Sequence, residues 1–250
     1  MNVQVFGVDV GGSGVKGAPV DLSTGQLAAP RMRIPTPKPA TPKAVTEAIA
    51  EVVGSHGWSG PIGVTVPGVV IDGVVQTAAN IGKGWIGFDA ATALAERLGM
   101  PVKVLNDADA AGLAEVTYGA AKGETGVVLL LTFGTGIGSA YLYEGKLIPN
   151  TELGHLIFRD GSAEEYAAGR LVKRGELDIE WWAHRVDEVL DYLDDLFWPD
   201  LFVFGGGISK RFEDYSHLLD TRARIVPAKL RNQAGIVGAA LAASQGVDHA

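Results

Sequence analysis

One short pattern occurs twice in this chain and limits the folds open to it. A β-branched apolar run from Val3 to Val10 enters Gly11-Gly12-Ser13-Gly14 and returns over Val15 to Val20. The run from Val127 to Phe133 enters Gly134-Thr135-Gly136-Ile137-Gly138 and returns over Ala140 to Tyr143. A Gly-x-Leu follows each return, at Gly25-Gln26-Leu27 and at Gly145-Lys146-Leu147. A buried strand that breaks on glycines and turns back predicts a strand–turn–strand unit, and two copies predict an internal duplication. Two such halves facing each other would place two glycine turns around one cleft.

The stretches between the copies alternate strand and helix signals, which predicts α/β architecture. Thr41 and Pro42 suit the N-cap and first position of a helix, with Val45, Ala48, Ile49, Val52 and Val53 on one face and Gly54 at C′. Further strands are expected at Ile62 to Val66, Val102 to Leu105 and Leu201 to Phe204. Further helices are expected at Asp89 to Leu98, Asp107 to Tyr118, Ile179 to Trp198 and Ala234 to Ala243. Asp72-Gly73 between valine-rich runs predicts a hairpin. No linker separates independent domains. The reading places a smaller lobe at 1–107, with a helix at 234–250 packing back on it, and a larger lobe at 108–233.

Composition narrows the function. The formal charge of −8 argues against a general nucleic-acid or membrane-surface binder. The absence of cysteine excludes disulfides and thiolate metal sites. No signal peptide and no run of about 20 apolar residues is read, so a cytoplasmic location is expected.

Three glycine loops are candidates for holding phosphate. In the first, Asp9, Gly11, Gly12, Ser13, Gly14 and Lys16 combine a backbone-amide nest, a point charge and a carboxylate suited to Mg²⁺, directly or through water. The second offers Thr132, Gly134, Thr135 and Gly136. It fits neither a dinucleotide fingerprint nor a Walker A spacing. The third, Gly205-Gly206-Gly207, leaves a buried strand toward an expected helix and adds Gly206 and Gly207 to the donor candidates. An ordinary turn explains each loop taken alone. Asn106-Asp107 stands at a strand-to-helix junction, where Asp107 could take a proton from a substrate hydroxyl or simply cap the helix. Glu152, His155, Glu164 and the loop amide Asn80 could bind sugar hydroxyls.

Taken together, these segments resemble the ROK sugar kinases, and within them the polyphosphate glucokinase branch. The likeness runs from Asp9 to Gly238. It includes Val66-Pro67-Gly68, Thr77-Ala78-Ala79-Asn80, the stretch from Leu105-Asn106-Asp107 to Glu115, Leu131 to Ala140, Pro149 to His155, Trp198 to Phe202 and Ala234 to Gly238. The resemblance implies an α/β, actin-like (ribonuclease H-like) duplicated fold with two lobes around a central cleft. It implies Asp107 as general base toward the 6-hydroxyl of glucose, with Gly68, Asn80, Asn106, Glu152, His155 and Glu164 holding the sugar. It further implies Mg²⁺, polyphosphate and ATP as phosphoryl donors, mannose beside glucose as acceptor, and a homodimer. Many members carry a zinc held by a histidine and three cysteines. Here Asp160 to Tyr166 stands in that place without cysteine, so no zinc is expected and His155 is left to the sugar. The rival readings are a strictly ATP-dependent hexokinase, a non-catalytic sugar-sensing ROK protein and an actin-like structural ATPase. The second of these lacks room for a helix-turn-helix ahead of the first strand.

Overall fold

The computed structural model describes residues 4–79 and 81–245. In chain order the elements are β1 (Gln4–Gly11), β2 (Gly14–Asp21), β3 (Gln26–Leu27), β4 (Met32–Ile34), α1 (Pro42–Gly54), β5 (Ile62–Val66), β6 (Val70–Ile71), β7 (Val74–Val75), α2 (Ala90–Leu98), β8 (Val102–Asn106) and α3 (Asp107–Tyr118). They continue with β9 (Val127–Phe133), β10 (Ile137–Tyr143), β11 (Lys146–Ile148), β12 (Ile157–Phe158), β13 (Gly161–Ser162), α4 (Ala163–Ala167), α5 (Arg170–Lys173), α6 (Ile179–Phe197), β14 (Leu201–Gly205), α7 (Phe212–Tyr215), β15 (Arg224–Pro227) and α8 (Ala234–Gln245).

The chain divides into two compact units. One holds the residues up to Ala114 together with those from Gln233 onward, and the other is Glu115–Asn232. Their sheets share one connectivity. The first has the order β3-β2-β1-β5-β8, with β4 also on β2, and the second has β11-β10-β9-β14-β15. In each, an antiparallel hairpin is followed by two parallel additions. The two Gly-x-Leu turns match in backbone as well, with Gly25 and Gly145 both at φ 72°. The duplication read from sequence is thus a duplication of topology.

Local chemistry explains the element ends. Thr41 caps α1 through the Ala44 amide with Pro42 in the first turn, and Asp89 caps α2 through the Thr92 amide. Gly99 ends α2 at φ 67°, and Asp72 and Gly73 turn β6 into β7 with positive φ at both. Gly54 is the last residue of α1 rather than a left-handed C′, because the following Ser55 stays right-handed. The helix expected after Gly205 is a 3-10 turn, Gly207–Arg211, followed by the short α7. Among the described residues no helix is long and apolar enough to cross a membrane.

The core of the first unit gathers Phe6, Val8, Val10, Ile49, Val64 and Trp85. That of the second gathers Phe133, Trp182, Val186, Phe202, Phe204 and Tyr215. α8 returns from the end of the chain to pack over β1 and β5. It does so at very short range: a Cβ on Gly63 would lie 1.8 Å from the carbonyl oxygen of Ala239, and one on Gly7 1.9 Å from that of Ile236. Gly7 and Gly63 are partners in the β1–β5 register, so they form one notch across two strands.

Candidate active site

The first glycine turn is a two-residue hairpin closed by the Gly11–Gly14 pair. The extended crossover braces it from outside. The Arg33 guanidinium donates to the Ser13 carbonyl at 2.7 Å, and the buried Thr36 hydroxyl donates to the Gly11 carbonyl at 2.5 Å. The register sets Asp9 opposite Lys16 on β2 and Thr65 on β5. Lys16 Nζ lies 3.1 Å from Asp9 Oδ2, and Thr65 Oγ1 donates to Asp9 Oδ1 at 3.2 Å. The start of α8 closes the remaining side, since a Cβ on Gly235 would lie 3.0 Å from Asp9 Cγ.

Asp9 is thus a fixed carboxylate beside an ammonium. No cluster of three or more His, Cys, Asp or Glu suited to a metal occurs among the described residues. Mg²⁺ needs no such cage, because it commonly takes one or two carboxylates and draws its other oxygens from water and substrate phosphates. Asp9 fits that donor set.

At the β8–α3 junction the two candidate roles separate onto neighbouring residues. Asn106 Oδ1 accepts from the amides of Ala108 and Asp109 at 2.7 and 3.1 Å, which is the capping function. Its Nδ2 donates to the Gly68 carbonyl at 3.1 Å, so Asn106 ties the helix start to the Pro67-Gly68 turn. Asp107 is then the first helical residue, half-buried, with Oδ1 accepting from the Ala108 amide at 3.0 Å. Gly68 packs so closely on Thr77 that a Cβ would lie 2.1 Å from that carbonyl oxygen. Asn80 lies outside the described residues.

The second unit brings together the other candidates. Glu164 Oε2 accepts from the Ile137 amide at 3.2 Å, and a Cβ on Gly136 would lie 2.2 Å from that oxygen. Glu152 Oε2 lies 3.7 Å from His155 Nδ1. Burial raises the Glu152 carboxyl above its ordinary range; His155 opposes the shift and the nearby Glu164 adds to it. Ser139 holds this segment in place, donating to the Thr151 carbonyl at 2.6 Å and accepting from the Leu153 amide at 2.9 Å. Thr132 Oγ1 donates to the Gly138 carbonyl at 3.4 Å, and the Gly134 amide donates to the Gly136 carbonyl at 3.0 Å, closing the second glycine turn. Thr135 is exposed, and its carbonyl takes a short hydrogen bond from Arg170. Gly206, at φ 80°, and Gly207 are exposed at the end of β14.

Sequence reading missed Thr65, Ser139 and the braces Arg33 and Thr36. Thr65 carried a signal: it is a lone hydroxyl in a strand otherwise read as buried and apolar, where it must find a partner. Ser139 did not, because the returning strand is expected to begin only at Ala140, whereas β10 begins at Ile137. Glu115 is a further case. It is 1% exposed, and its two oxygens accept from the amides of Ala120, Lys229 and Leu230 at 2.7, 3.1 and 2.8 Å. Glu115→Ala would take the shared acceptor from three part-buried amides, so we expect a loss of about 2 kcal/mol in urea unfolding. Glu115→Gln should rescue little, because its amide nitrogen would face a backbone N–H.

Known proteins match this chain in sequence and in fold. The model of the ROK family matches residues 5–169. The polyphosphate glucokinase of Mycobacterium tuberculosis is 54% identical over 98% of this chain and 92% of its own length. The crystal structure of the inorganic polyphosphate/ATP-glucomannokinase from Arthrobacter sp. strain KM superposes with a TM-score of 0.94 at 47% identity, covering 98% of this chain and all of that one. The ROK glucokinase of Streptomyces griseus, in complex with glucose and AMPPNP, gives a TM-score of 0.82 at 27% identity, over 98% of this chain and all of its own. The fold is the actin-like α/β fold, and the chain belongs to the ROK family of sugar kinases.

Proposed function

We propose that this protein phosphorylates the 6-hydroxyl of glucose, using inorganic polyphosphate and also ATP as donor. The observation that carries the acceptor half is the Asn106–Asp107 junction. Asn106 takes over the capping of α3 and leaves the Asp107 carboxylate at the first helical position. Such a group accepts the hydrogen bond of an incoming hydroxyl and takes its proton as the oxygen attacks phosphorus. The donor reading is supported by the likeness to the mycobacterial polyphosphate glucokinase and the Arthrobacter glucomannokinase.

Phosphoryl transfer depends on positioning and charge stabilisation more than on covalent help from the protein. The sugar-binding residues proposed are Glu152, His155 and Glu164 in the second unit and Gly68 and Asn80 in the first. Asn106 acts through its grip on Gly68 and on α3. The donor-binding residues proposed are, in the first unit, the glycine turn Gly11–Gly14 with Ser13 and, in the second unit, the turn Gly134–Gly136 with Thr132, Thr135, Gly206 and Gly207. Lys16 adds positive charge to the moving phosphoryl group. Mg²⁺, held by Asp9 and the donor, would neutralise phosphate charge. The resemblance that supports the donor also carries mannose as a second acceptor, a homodimer and a cytoplasmic setting into this proposal.

The test is turnover of glucose with Mg²⁺ and either ATP-free polyphosphate or ATP in separate reactions. Glucose 6-phosphate is expected in both. Product from ATP alone would leave a plain ATP-dependent hexokinase.

A further inference from the structure

The sequence places Lys16, Lys83, Arg170, Lys173, Arg174, Lys210 and Arg211 near glycine loops, and the structure separates them by what each already does. Lys16 is paired with Asp9, and Arg170 braces the Thr135 carbonyl. Lys83 is exposed on a turn anchored by Trp85, remote in sequence from the second unit. The others lie in the second unit, where β9, β14 and β15 run parallel and adjacent, so the loops leaving their C-terminal ends form one edge. Open α/β sheets bind ligands at that edge.

Two of the cationic segments start against the same peptide. A Cβ on Gly169, just before α5, would lie 2.8 Å from the Phe133 carbonyl oxygen, and one on Gly206 would lie 2.5 Å from it. Phe133 is the last residue before the second glycine turn. The Arg170 amide donates to the Gly134 carbonyl at 2.8 Å. A third segment leaves β15 next door, where buried Glu115 clamps the amides of Lys229 and Leu230 and Arg231 sits at φ 49°. The stretches 169–174, 206–211 and 228–231 contain seven Lys and Arg and no acid, in a chain whose formal charge is −8. Arg174 pairs with Glu176 and Arg211 with Asp214. Lys173, Lys210, Lys229 and Arg231 are exposed and form no ion pair among the described residues.

From this arrangement we infer that the row of loops from α5 across the Gly207–Arg211 turn to Lys229 is the track for the distal phosphates of a polyphosphate chain, with Lys173 and Lys210 as its first cations. The inference rests on the donor reading above and extends it. A polyanion neutralised by several cations binds with a steep salt dependence through counterion release, whereas a short donor reaches only the glycine turn. The track therefore gives long chains an advantage over tripolyphosphate.

The experiment measures KM for long-chain polyphosphate and for tripolyphosphate, with glucose and Mg²⁺, across a salt series. It uses the wild type, K173Q/K210Q and K173R/K210R. The wild type is expected to favour long chains. The Gln variant should lose about ten-fold of that preference and flatten the plot of log KM against log salt by roughly 1.4, about 0.7 per lost charge. The Arg variant should keep both. An undiminished preference in the Gln variant, or an equal rise of both KM values, overturns the track. A wild type that turns over ATP but no polyphosphate overturns the donor reading, and the track with it.

Discussion

Asp107→Asn is expected to lower kcat by roughly 10²–10⁴-fold with either donor, while glucose affinity stays within about three-fold. The amide keeps the size of the carboxylate and can still bond a hydroxyl, so the ground state changes little. What it lacks is the capacity to take the proton that leaves as the sugar oxygen attacks. Asn106 already caps α3 and holds Gly68, so the substitution removes neither of those bonds. The loss at the helix start is one favourable charge, worth about 0.3–1 kcal/mol. Thermal unfolding should therefore move little while turnover collapses. Near-normal turnover would take Asp107 out of the role.

The second large effect is structural. Gly63→Ala should destabilise the protein by more than about 4 kcal/mol, read from urea unfolding. The added methyl would lie 1.8 Å from the backbone oxygen of Ala239, and no side-chain rotation relieves a backbone clash. β5 is held between β1 and β8, so α8 must move. That movement reaches the site, because Gly235 at the start of α8 abuts Asp9. Gly54→Ala is the contrast: no neighbour lies within 4 Å of its added methyl, and it stands in the last turn of α1. It should stabilise by up to about 1 kcal/mol through the unfolded chain. Similar effects from both substitutions would refute the close packing of α8 on the notch.

The repeated hairpins were legible because glycine at the end of a buried strand forces a turn, and both copies kept the marker that follows. The helix starts were legible from Thr41 and Asp89, which announce capping locally. β15 was not, because Arg224–Pro227 is a four-residue edge strand that pairs only with β14 and alternates no apolar face. β4 lay hidden among prolines, and its place depends on pairing with β2. The site residues divide in the same way. Asp9, Asp107 and the glycine turns sit at element ends and speak for themselves. Thr65 acts on Asp9 from 56 residues away, and Glu115 holds amides 114 and 115 residues on; only the fold discloses such partners. The junction at Asn106-Asp107 shows a further limit: both residues suit a cap, and the hydrogen bonds decide which one takes it.

Phosphoryl transfer from polyphosphate to glucose is tested by a phosphorus balance, read by ³¹P NMR on ATP-free polyphosphate, glucose and Mg²⁺. One glucose 6-phosphate ester is expected for each phosphate unit lost from the chain, with little free orthophosphate. Loss of polyphosphate to orthophosphate without ester, or no loss at all beside active ATP turnover, would contradict it.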